Sequence, residues 1–314
     1  MSVVLDNLNG KQIAAVTHFT GPLLVIAGAG SGKTRALTHR IAYLIEEKGI
    51  NPWNILAVTF TNKAANEMKK RVLKLMSKNR EFSISENFSD LLRDDLPAIG
   101  TFHSICMRIL RKHIHLLDYE NSFVVYDTAD QTILMKRVME DLLIEEKRVN
   151  PKAVLNHISN AKNQLIGPKE YSSYASDYFA EKVAEIYPKY QSALQKNNAL
   201  DFDDIIMKTV ELFQKFPEIL DTYQEKFRFI SVDEYQDTNR AQYELIKLLA
   251  QKYRNLCVIG DVDQSIYGWR GATIQNILDF EKDYPETKIV VLEENYRSTQ
   301  LILDASNDVI SKNK

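Results

Sequence analysis

The sequence predicts an α/β fold, in which a parallel sheet carries helices on both faces and is interrupted by a mostly helical inserted domain. Several short runs are apolar throughout, as expected of strands that are buried on both faces. Stretches with helical spacing separate these runs, which favours parallel strands joined by helices. A long stretch with helical patterns between two of the runs predicts the inserted domain.

The predicted strands are short apolar segments: Leu23–Ala27, Ile55–Phe60, Phe227–Val232, Leu256–Gly260 and Ile289–Leu292. Apolar residues at helical spacing follow the first two strands, over Thr34–Glu47 and Asn62–Met76. The segment from Cys106 to Asn198 is helical in pattern, with Phe123–Tyr126 as a strand-like exception. Lys78–Leu96 is polar, acidic and without pattern, which predicts a surface loop.

The composition is that of an ordinary soluble protein, with 314 residues, 45% hydrophobic and 26% charged. The sequence has no run of about 18 apolar residues and no apolar stretch behind a basic start, so we predict neither a membrane span nor a secretory signal. Cys106 and Cys257 offer no disulfide framework or zinc spacing and fit a reducing compartment, so we expect a cytoplasmic protein. His113 and His115 do not share a helix face and predict no metal site.

Charge is distributed unevenly along the chain, although the formal net charge is only −2. Residues 1–80 contain 12 Lys and Arg against 4 Asp and Glu, a net of +8, so the remainder carries −10. A local basic face can bind phosphates even on an acidic protein. Chance clustering of surface charge is the alternative interpretation.

A glycine-rich turn connects the first predicted strand to the first predicted helix. Its residues are Ala27, Gly28, Ala29, Gly30, Ser31, Gly32, Lys33 and Thr34. The glycines let backbone N–H groups point at phosphate oxygens, and the helix presents its N-terminus to the same anion. Lys33 would reach the β- and γ-phosphates, and the Thr34 hydroxyl would ligate Mg²⁺. Ala27 replaces the first glycine of the strict pattern, and the strand and helix context disfavours a turn without a ligand.

A pair of carboxylates, Asp233 and Glu234, follows the apolar strand that ends at Val232. Ligands of open parallel sheets bind beyond the carboxyl ends of the strands, so we expect this pair to lie beside the phosphate loop. Asp233 would hold Mg²⁺, and Glu234 would take a proton from the attacking water. A strand that merely ends in solvated carboxylates is the alternative.

Further blocks occur in a fixed order along nearly the whole chain. They are Leu8-Asn9 with Gln12, Thr59–Ala65, Thr101–Ser104, Asp201–Asp204, Asp233–Asn239, Gly260–Ala272 and Glu294–Thr299. Together with the phosphate loop, these blocks resemble the UvrD/Rep/PcrA group of superfamily 1 DNA helicases. The resemblance implies that ATP and Mg²⁺ are the cofactors and that single-stranded DNA and single/double-strand junctions are partners.

For the nucleotide, the resemblance implies that Gln12 hydrogen-bonds the adenine and that Tyr296 and Arg35 flank the base. It also implies that Gln264 senses the γ-phosphate and that Arg297 stabilises charge in the transition state, as an arginine finger does. Lys33 and Glu234 complete the catalytic set that we predict.

For DNA, the resemblance implies contacts from the blocks that contain Asn62, Thr101 and His103. Phe60, Tyr267 and Trp269 resemble aromatic residues on which unstacked bases sit. Tyr267 and Trp269 are two residues apart, so they would point the same way in an extended segment. Core packing is the alternative for these three aromatic side chains.

The resemblance implies that residues 1–108 and 199–285 form a RecA-like ATP-binding motor domain and that residues 109–198 form the helical insert. Residues 286–314 would begin the connection to a second RecA-like domain, whose motifs we do not find. We therefore predict part of an ATP-dependent 3′–5′ DNA helicase, with weak binding of ATP·Mg²⁺ and DNA and little turnover by itself. A non-catalytic nucleotide- and DNA-binding module, or a P-loop ATPase acting on another substrate, are the alternatives, and the pathway and protein partners stay open.

Overall fold

A computed structural model describes residues 3–76, 96–264 and 275–312 of the chain. The strands of this part, in chain order, are β1 (Leu23–Ala27), β2 (Ile55–Thr59), β3 (Ala98–Thr101), β4 (Val124–Val125), β5 (Ala199–Leu200), β6 (Phe229–Val232), β7 (Leu256–Gly260) and β8 (Lys288–Leu292).

The helices alternate with these strands and dominate the middle of the chain. They are α1 (Gly10–Thr17), α2 (Lys33–Glu46), α3 (Asn62–Met76), α4 (Phe102–His113), α5 (Thr128–Asp141), α6 (Pro151–Asn163), α7 (Pro168–Tyr171), α8 (Tyr178–Lys196), α9 (Phe202–Lys215), α10 (Pro217–Lys226), α11 (Arg240–Ala250), α12 (Gln275–Leu278), α13 (Phe280–Asp283) and α14 (Gln300–Ile310). Short 3-10 turns occupy Val3–Leu5, Pro52–Asn54, Ile114–Leu117, Tyr235–Asp237 and Val262–Gln264.

Six strands form one sheet in the order β3-β2-β6-β7-β1-β8. Every neighbouring pair of this sheet is parallel. β1 and β2 follow each other in sequence but are separated in the sheet, whereas β2 and β3, and β6 and β7, are neighbours in both. Helices lie between consecutive strands of this sheet, as parallel pairing requires. The predicted fold class, an α/β parallel sheet with helices around it, is confirmed.

Helices cover both faces of the sheet because neighbouring residues of each strand point to opposite sides. Leu24 and Val58 belong to a core on one face, which α4, α9 and α11 complete. Val25 and Ala57 belong to a second core on the other face, completed by α2 and α3. This two-sided burial explains why the strands are apolar without alternation.

The helical middle of the chain has a third core of its own, to which α5, α6 and α8 contribute. The strand-like segment Phe123–Tyr126 contains β4, and β4 pairs in parallel with β5. Val124 lies opposite Ala199, so the two ends of the helical stretch are held side by side. In the described part of the chain, no helix is long and apolar enough to cross a membrane.

The pairing of β8 bears on the predicted boundary at residue 285. A division at residue 285 leaves β8 outside the motor portion, whereas β8 pairs with β1 along its whole length, from Leu23 opposite Lys288 to Ala27 opposite Leu292. Val290 and Leu292 fill the same core as Val25, so β8 belongs to the sheet. The predicted surface loop Lys78–Leu96 lies, except for Leu96, outside the described residues.

A buried ionic cluster joins the helical middle to α9. The ammonium of Lys162, on α6, lies 2.7 Å from Asp201 Oδ2 and 2.8 Å from Asp204 Oδ1, and the Lys162 side chain is 0% exposed. Asp201 caps the N-terminus of α9. Burial opposes the charge of Lys162, but the two carboxylates hold its pKa above the ordinary value. The cluster therefore fixes α6 against the first turn of α9.

We predict that Lys162→Met destabilises the fold by about 3–5 kcal/mol, because it leaves two buried carboxylates without their cation. Urea denaturation followed by circular dichroism measures this change. Lys136→Met is the matched control, since Lys136 forms an exposed pair with Glu146 whose loss costs less than about 1 kcal/mol. Equal losses of stability in the two variants would contradict the structural role of Lys162.

Candidate functional site

Most of the predicted site residues in the described part of the chain lie at one edge of the sheet. Parallel strands present their carboxyl ends on the same side, and the described candidate segments other than that of Gln12, on α1, begin where such a strand ends. The glycine-rich turn follows β1, the acidic pair follows β6, and Asp261 follows β7. The segments containing Phe60 and Thr101 lie at the ends of β2 and β3.

The glycine-rich turn adopts a backbone that needs glycine at two positions. Gly30 has a φ of +73° and Gly32 a φ of +88°, and L-residues with a side chain are strained in this region. The Ser31 hydroxyl donates to the Gly28 carbonyl at 2.7 Å and closes the turn. A Cβ atom at Gly32 would lie 2.7 Å from Gln12 Nε2, so glycine also permits the approach of α1.

The turn leads directly into the N-terminus of α2, where Gly32 is the capping residue. No side chain of the described residues caps this helix end, so its first N–H groups and the helix dipole are available to an anion. Lys33, Thr34 and Arg35 form the first turn of α2. This arrangement fits a phosphate group, as the sequence predicts.

Lys33 lies among acidic side chains from two other strands. Its ammonium is 3.2 Å from Glu234 Oε2 and 3.9 Å from Asp261 Oδ2. Burial, followed by the charge of Glu234, raises the pKa of Asp233 to about 7. Burial also raises the pKa of Asp261. A nearby cation would favour the ionised forms of these two carboxyls.

The donor set fits the predicted magnesium ion. Mg²⁺ prefers oxygen ligands, especially carboxylates next to phosphate groups. Thr34 stands in the first turn of α2, directly after the phosphate loop, and Asp233 follows the end of β6. Asp233 is buried, and burial raises its pKa because it disfavours the charged form. A bound cation would oppose this effect by stabilising the carboxylate.

Gln236 and Asp261 join the acidic pair to the end of β7, and sequence reasoning assigned no role to either. The Gln236 amide donates to Glu234 Oε2 at 2.9 Å and accepts from the backbone N–H of Asp261 at 3.0 Å. The Asp261 carboxylate accepts from Gln264 Nε2 at 2.5 Å. Both residues lie within the blocks that carry the resemblance, and this position is the sequence signal that could have identified them.

The residues predicted to contact the adenine base lie beside the phosphate loop. Gln12 donates from Nε2 to the Ser31 carbonyl at 3.0 Å. The Tyr296 hydroxyl accepts from Asn9 Nδ2 at 2.7 Å, and the Tyr296 backbone N–H donates to the Gly30 carbonyl at 3.0 Å. Tyr296 is exposed, and so is Arg35.

The segment around Tyr296 is also held by Asn295, which sequence reasoning did not single out. Its amide donates to the Ala29 carbonyl, and its Oδ1 accepts from the backbone of Arg297 and Ser298. A Cβ atom at Gly30 would lie 2.8 Å from the Arg297 Cβ. Arg297 is therefore brought against the phosphate loop with its side chain exposed.

The residues predicted to contact DNA follow β2 and β3. Phe60 is half-buried and packs edge-on against Phe102, with ring centroids 5.6 Å apart. Asn62 is exposed at the start of α3. The Thr101 hydroxyl caps α4 by accepting from the Ser104 N–H, so this side chain already serves its own helix.

A half-buried histidine and an exposed phenylalanine form a stacked pair on this side of the molecule. The His103 ring stacks on the Phe202 ring, with centroids 3.7 Å apart and planes 19° apart. Phe202 is 53% exposed although it is a large apolar residue. Sequence reasoning named its block but not its role. Tyr267 and Trp269 lie outside the described residues.

A glycine-rich loop between a strand and a helix, with a lysine facing acidic residues on a parallel sheet, defines a P-loop protein. Residues 8–285 match the family model described as the UvrD/REP helicase N-terminal domain, so the chain belongs to this family. It is 52% identical over 313 residues to the ATP-dependent DNA helicase PcrA of Staphylococcus aureus (strain Mu50), covering 100% of this chain and 41% of that protein. The PcrA of Staphylococcus epidermidis is 51% identical with the same coverage.

We predict that Gly32→Ala destabilises the chain by at least about 1–2 kcal/mol, because a residue with a Cβ is strained in the left-handed region. The close approach of Gln12 Nε2 adds to this effect. Gly10→Ala is the matched control, since its Cβ meets no atom within 4 Å. Urea denaturation without nucleotide measures both, and a Gly32→Ala variant as stable as Gly10→Ala would contradict the described turn.

Proposed function

We propose that this chain is the nucleotide-binding motor portion of a DNA helicase that uses ATP to move 3′ to 5′ along single-stranded DNA. The observation that carries the proposal is the position of the Lys33 ammonium, 3.2 Å from Glu234 and beside the phosphate loop. A lysine and an acidic residue so placed match the parts that phosphoryl transfer requires. Membership of the UvrD/REP family supports DNA as the second substrate.

In the proposed reaction, the loop N–H groups and Lys33 hold the β- and γ-phosphates. Thr34 and Asp233 would hold Mg²⁺, which neutralises charge that develops on the phosphates. Glu234 accepts the proton of the water that attacks the γ-phosphorus. Its ion pair with Lys33 in this structure implies that arriving phosphates draw the lysine away and leave the carboxylate free to act.

The remaining residues connect ATP hydrolysis to the adenine base and to DNA. Gln12, Tyr296 and Arg35 bind the adenine, and Arg297 stabilises transition-state charge. Gln264 passes on the state of the γ-phosphate, since it bonds to Asp261, which also faces Lys33. Phe60, with Asn62, Thr101 and His103, contributes to the DNA surface, to which Tyr267 and Trp269 would add stacking aromatics.

The relatives are longer than this chain, which spans 41% of their length. We propose that a second RecA-like domain completes the nucleotide cleft in the whole protein, and that single/double-strand junctions in the cytoplasm are its substrate. The division into a motor portion and the insert at 109–198 belongs to the same proposal. A motor portion alone has no second domain to move against, so it binds ATP and DNA with little turnover and no unwinding.

The first test is ATP hydrolysis with and without single-stranded DNA, together with nucleotide binding, for the parent chain and Lys33→Ala. We expect nucleotide binding that Lys33→Ala abolishes, because the lysine holds the phosphates. Unchanged binding in Lys33→Ala would refute the phosphate site. DNA-stimulated turnover that disappears in the variant would mean that the site hydrolyses ATP in this chain, whereas binding without turnover is the result expected of a motor portion that lacks its second domain. The Glu234 variant described next separates an enzyme from the non-catalytic alternative.

A second prediction concerns Glu234 as the general base of ATP hydrolysis. In a protein containing the second domain, Glu234→Gln should retain ATP binding and lose about 10²–10⁴-fold in kcat, because an amide cannot accept the proton of water. Glu185→Gln is the matched control, since Glu185 pairs with Lys182 on the surface of α8. Steady-state hydrolysis measures both, and a parental kcat in Glu234→Gln would rule out this carboxylate as the base.

A third prediction concerns DNA. Phe60→Ala should weaken binding of single-stranded oligothymidylate by about 1–3 kcal/mol, the typical contribution of one stacked base. Trp53→Ala is the matched control, because Trp53 is a partly exposed aromatic residue at the opposite end of the same strand, β2. Fluorescence anisotropy measures both affinities, and equal effects would place the DNA elsewhere.

A further inference from the structure

An arginine outside the phosphate loop is buried between the first two helices, α1 and α2. Arg40 is 2% exposed and stands on α2, two turns after Lys33. Its Nη1 donates to the carbonyl oxygens of Ala15 at 3.2 Å, Val16 at 3.5 Å and His18. These carbonyls belong to the last turn and the C-cap of α1.

The buried positive charge of Arg40 requires compensation by its neighbours. Burial lowers the pKa of the guanidinium, yet arginine stays protonated in proteins. Among the described residues, no carboxylate forms an ion pair with Arg40. The C-terminal carbonyls of α1 therefore provide the compensating negative potential. A buried cation that has lost its partners is costly, so α1 is held in one position relative to α2.

The residue before Arg40 fixes the other end of α1. His39 Nδ1 lies 2.5 Å from the carbonyl oxygen of Val4, in the turn that precedes the helix. The α1 helix itself has no basic residue in its last turn. Two consecutive residues of α2 thus bind the chain on both sides of α1.

The α1 helix carries the base side of the proposed ATP site, and α2 carries the phosphate side. Asn9 and Gln12 stand at the start of α1. Gln12 Oε1 accepts from the Asn9 N–H at 3.2 Å, and Gln12 Nε2 donates to Ser31 at 3.0 Å. Gln12 is buried in this structure, and its amide, which has two N–H groups and two acceptor positions, keeps one N–H and one acceptor position beyond these two bonds. In the proposed ATP site these two positions pair with the base.

We infer that Arg40 is a positioning residue for base recognition, which fixes the distance between the Gln12 amide and the phosphate loop. The inference rests on the proposed ATP site. Discrimination between adenine and guanine depends on the placement of a donor and an acceptor. Binding of the triphosphate depends on the loop and on Lys33, at the near end of α2. Arg40 therefore acts on base selectivity and not on phosphate affinity.

The test compares fluorescent ribose-labelled ATP and GTP in direct binding, with inorganic tripolyphosphate as a competitor that has no base. Arg40→Met keeps the length and apolar stem of the side chain and removes the donors and charge. We expect the ratio of ATP to GTP affinity to fall about tenfold, the equivalent of about 1.4 kcal/mol, while tripolyphosphate competes as in the parent. Arg40→Lys keeps the charge with fewer aligned donors and should give an intermediate ratio.

An equal loss for ATP, GTP and tripolyphosphate in Arg40→Met would mean a general loss of structure and would overturn the inference, as would an unchanged ratio. If Arg40→Met does not fold, the same comparison applies to Arg40→Lys. Gln12→Ala separates this inference from the proposed function. An unchanged ratio in Gln12→Ala refutes the adenine site itself, whereas a lowered ratio there with a parental ratio in Arg40→Met refutes the role of Arg40 alone.

Discussion

The candidate site depends on the parallel pairing of β1 with β7, because this pairing brings segments from distant parts of the chain to one edge. The Lys33 ammonium must reach past the end of β7 to meet Glu234, which follows β6. Gly260, at the end of β7, leaves room for neighbouring side chains at this edge. A Cβ atom there would lie 2.8 Å from Ile277 Cδ1 and 3.0 Å from Gln236 Oε1. Glycine thus lets Gln236 cross the end of β7 and bond to both Glu234 and Asp261.

Asp233 and Asp261 are buried, and Coulomb interactions are stronger where water is excluded. Lys33 faces Glu234 and Asp261 at once, so its charge is shared between the two strand ends. A phosphate that takes the lysine therefore changes the electrostatic balance of both, and a divalent cation beside Asp233 would offset that change. In the proposed function, anion and cation binding would therefore favour each other.

The strands and the phosphate loop could be predicted because their causes are local. A strand buried on both faces must be apolar throughout, as in Ile55–Thr59, and the left-handed backbone at Gly30 and Gly32 requires glycine. The apolar pattern of Ile289–Leu292 predicted a strand, whereas the place of this strand beside β1 was not predictable, because it follows from pairing and not from the strand's own pattern. Arg40 gave no signal, since its partners are backbone carbonyls that any sequence supplies.

The same limit applies to the aromatic residues of the predicted DNA surface. Phe60 was identified by resemblance, and its packing against Phe102 explains why it is half-buried. The stack of His103 on Phe202 joins α4 to α9, two helices that are distant in sequence. No spacing rule relates such residues. A large apolar residue such as Phe202 is expected to be buried, whereas here it is 53% exposed.

The helical middle of the chain contacts, through one residue, both the segment after the acidic pair and the helix that carries Phe202. Asn163, at the end of α6, accepts from Asn239 Nδ2 at 2.5 Å and donates to Asp203 Oδ1 at 3.2 Å. Asn239 ends the segment that begins with the acidic pair and caps α11, while Asp203 follows Phe202 on α9. Energetic coupling between sites travels through contiguous packed or hydrogen-bonded groups. Because Lys162 anchors α6 to α9, a displacement of the segment after Glu234 is resisted by the same helix that supports the stacked aromatic pair.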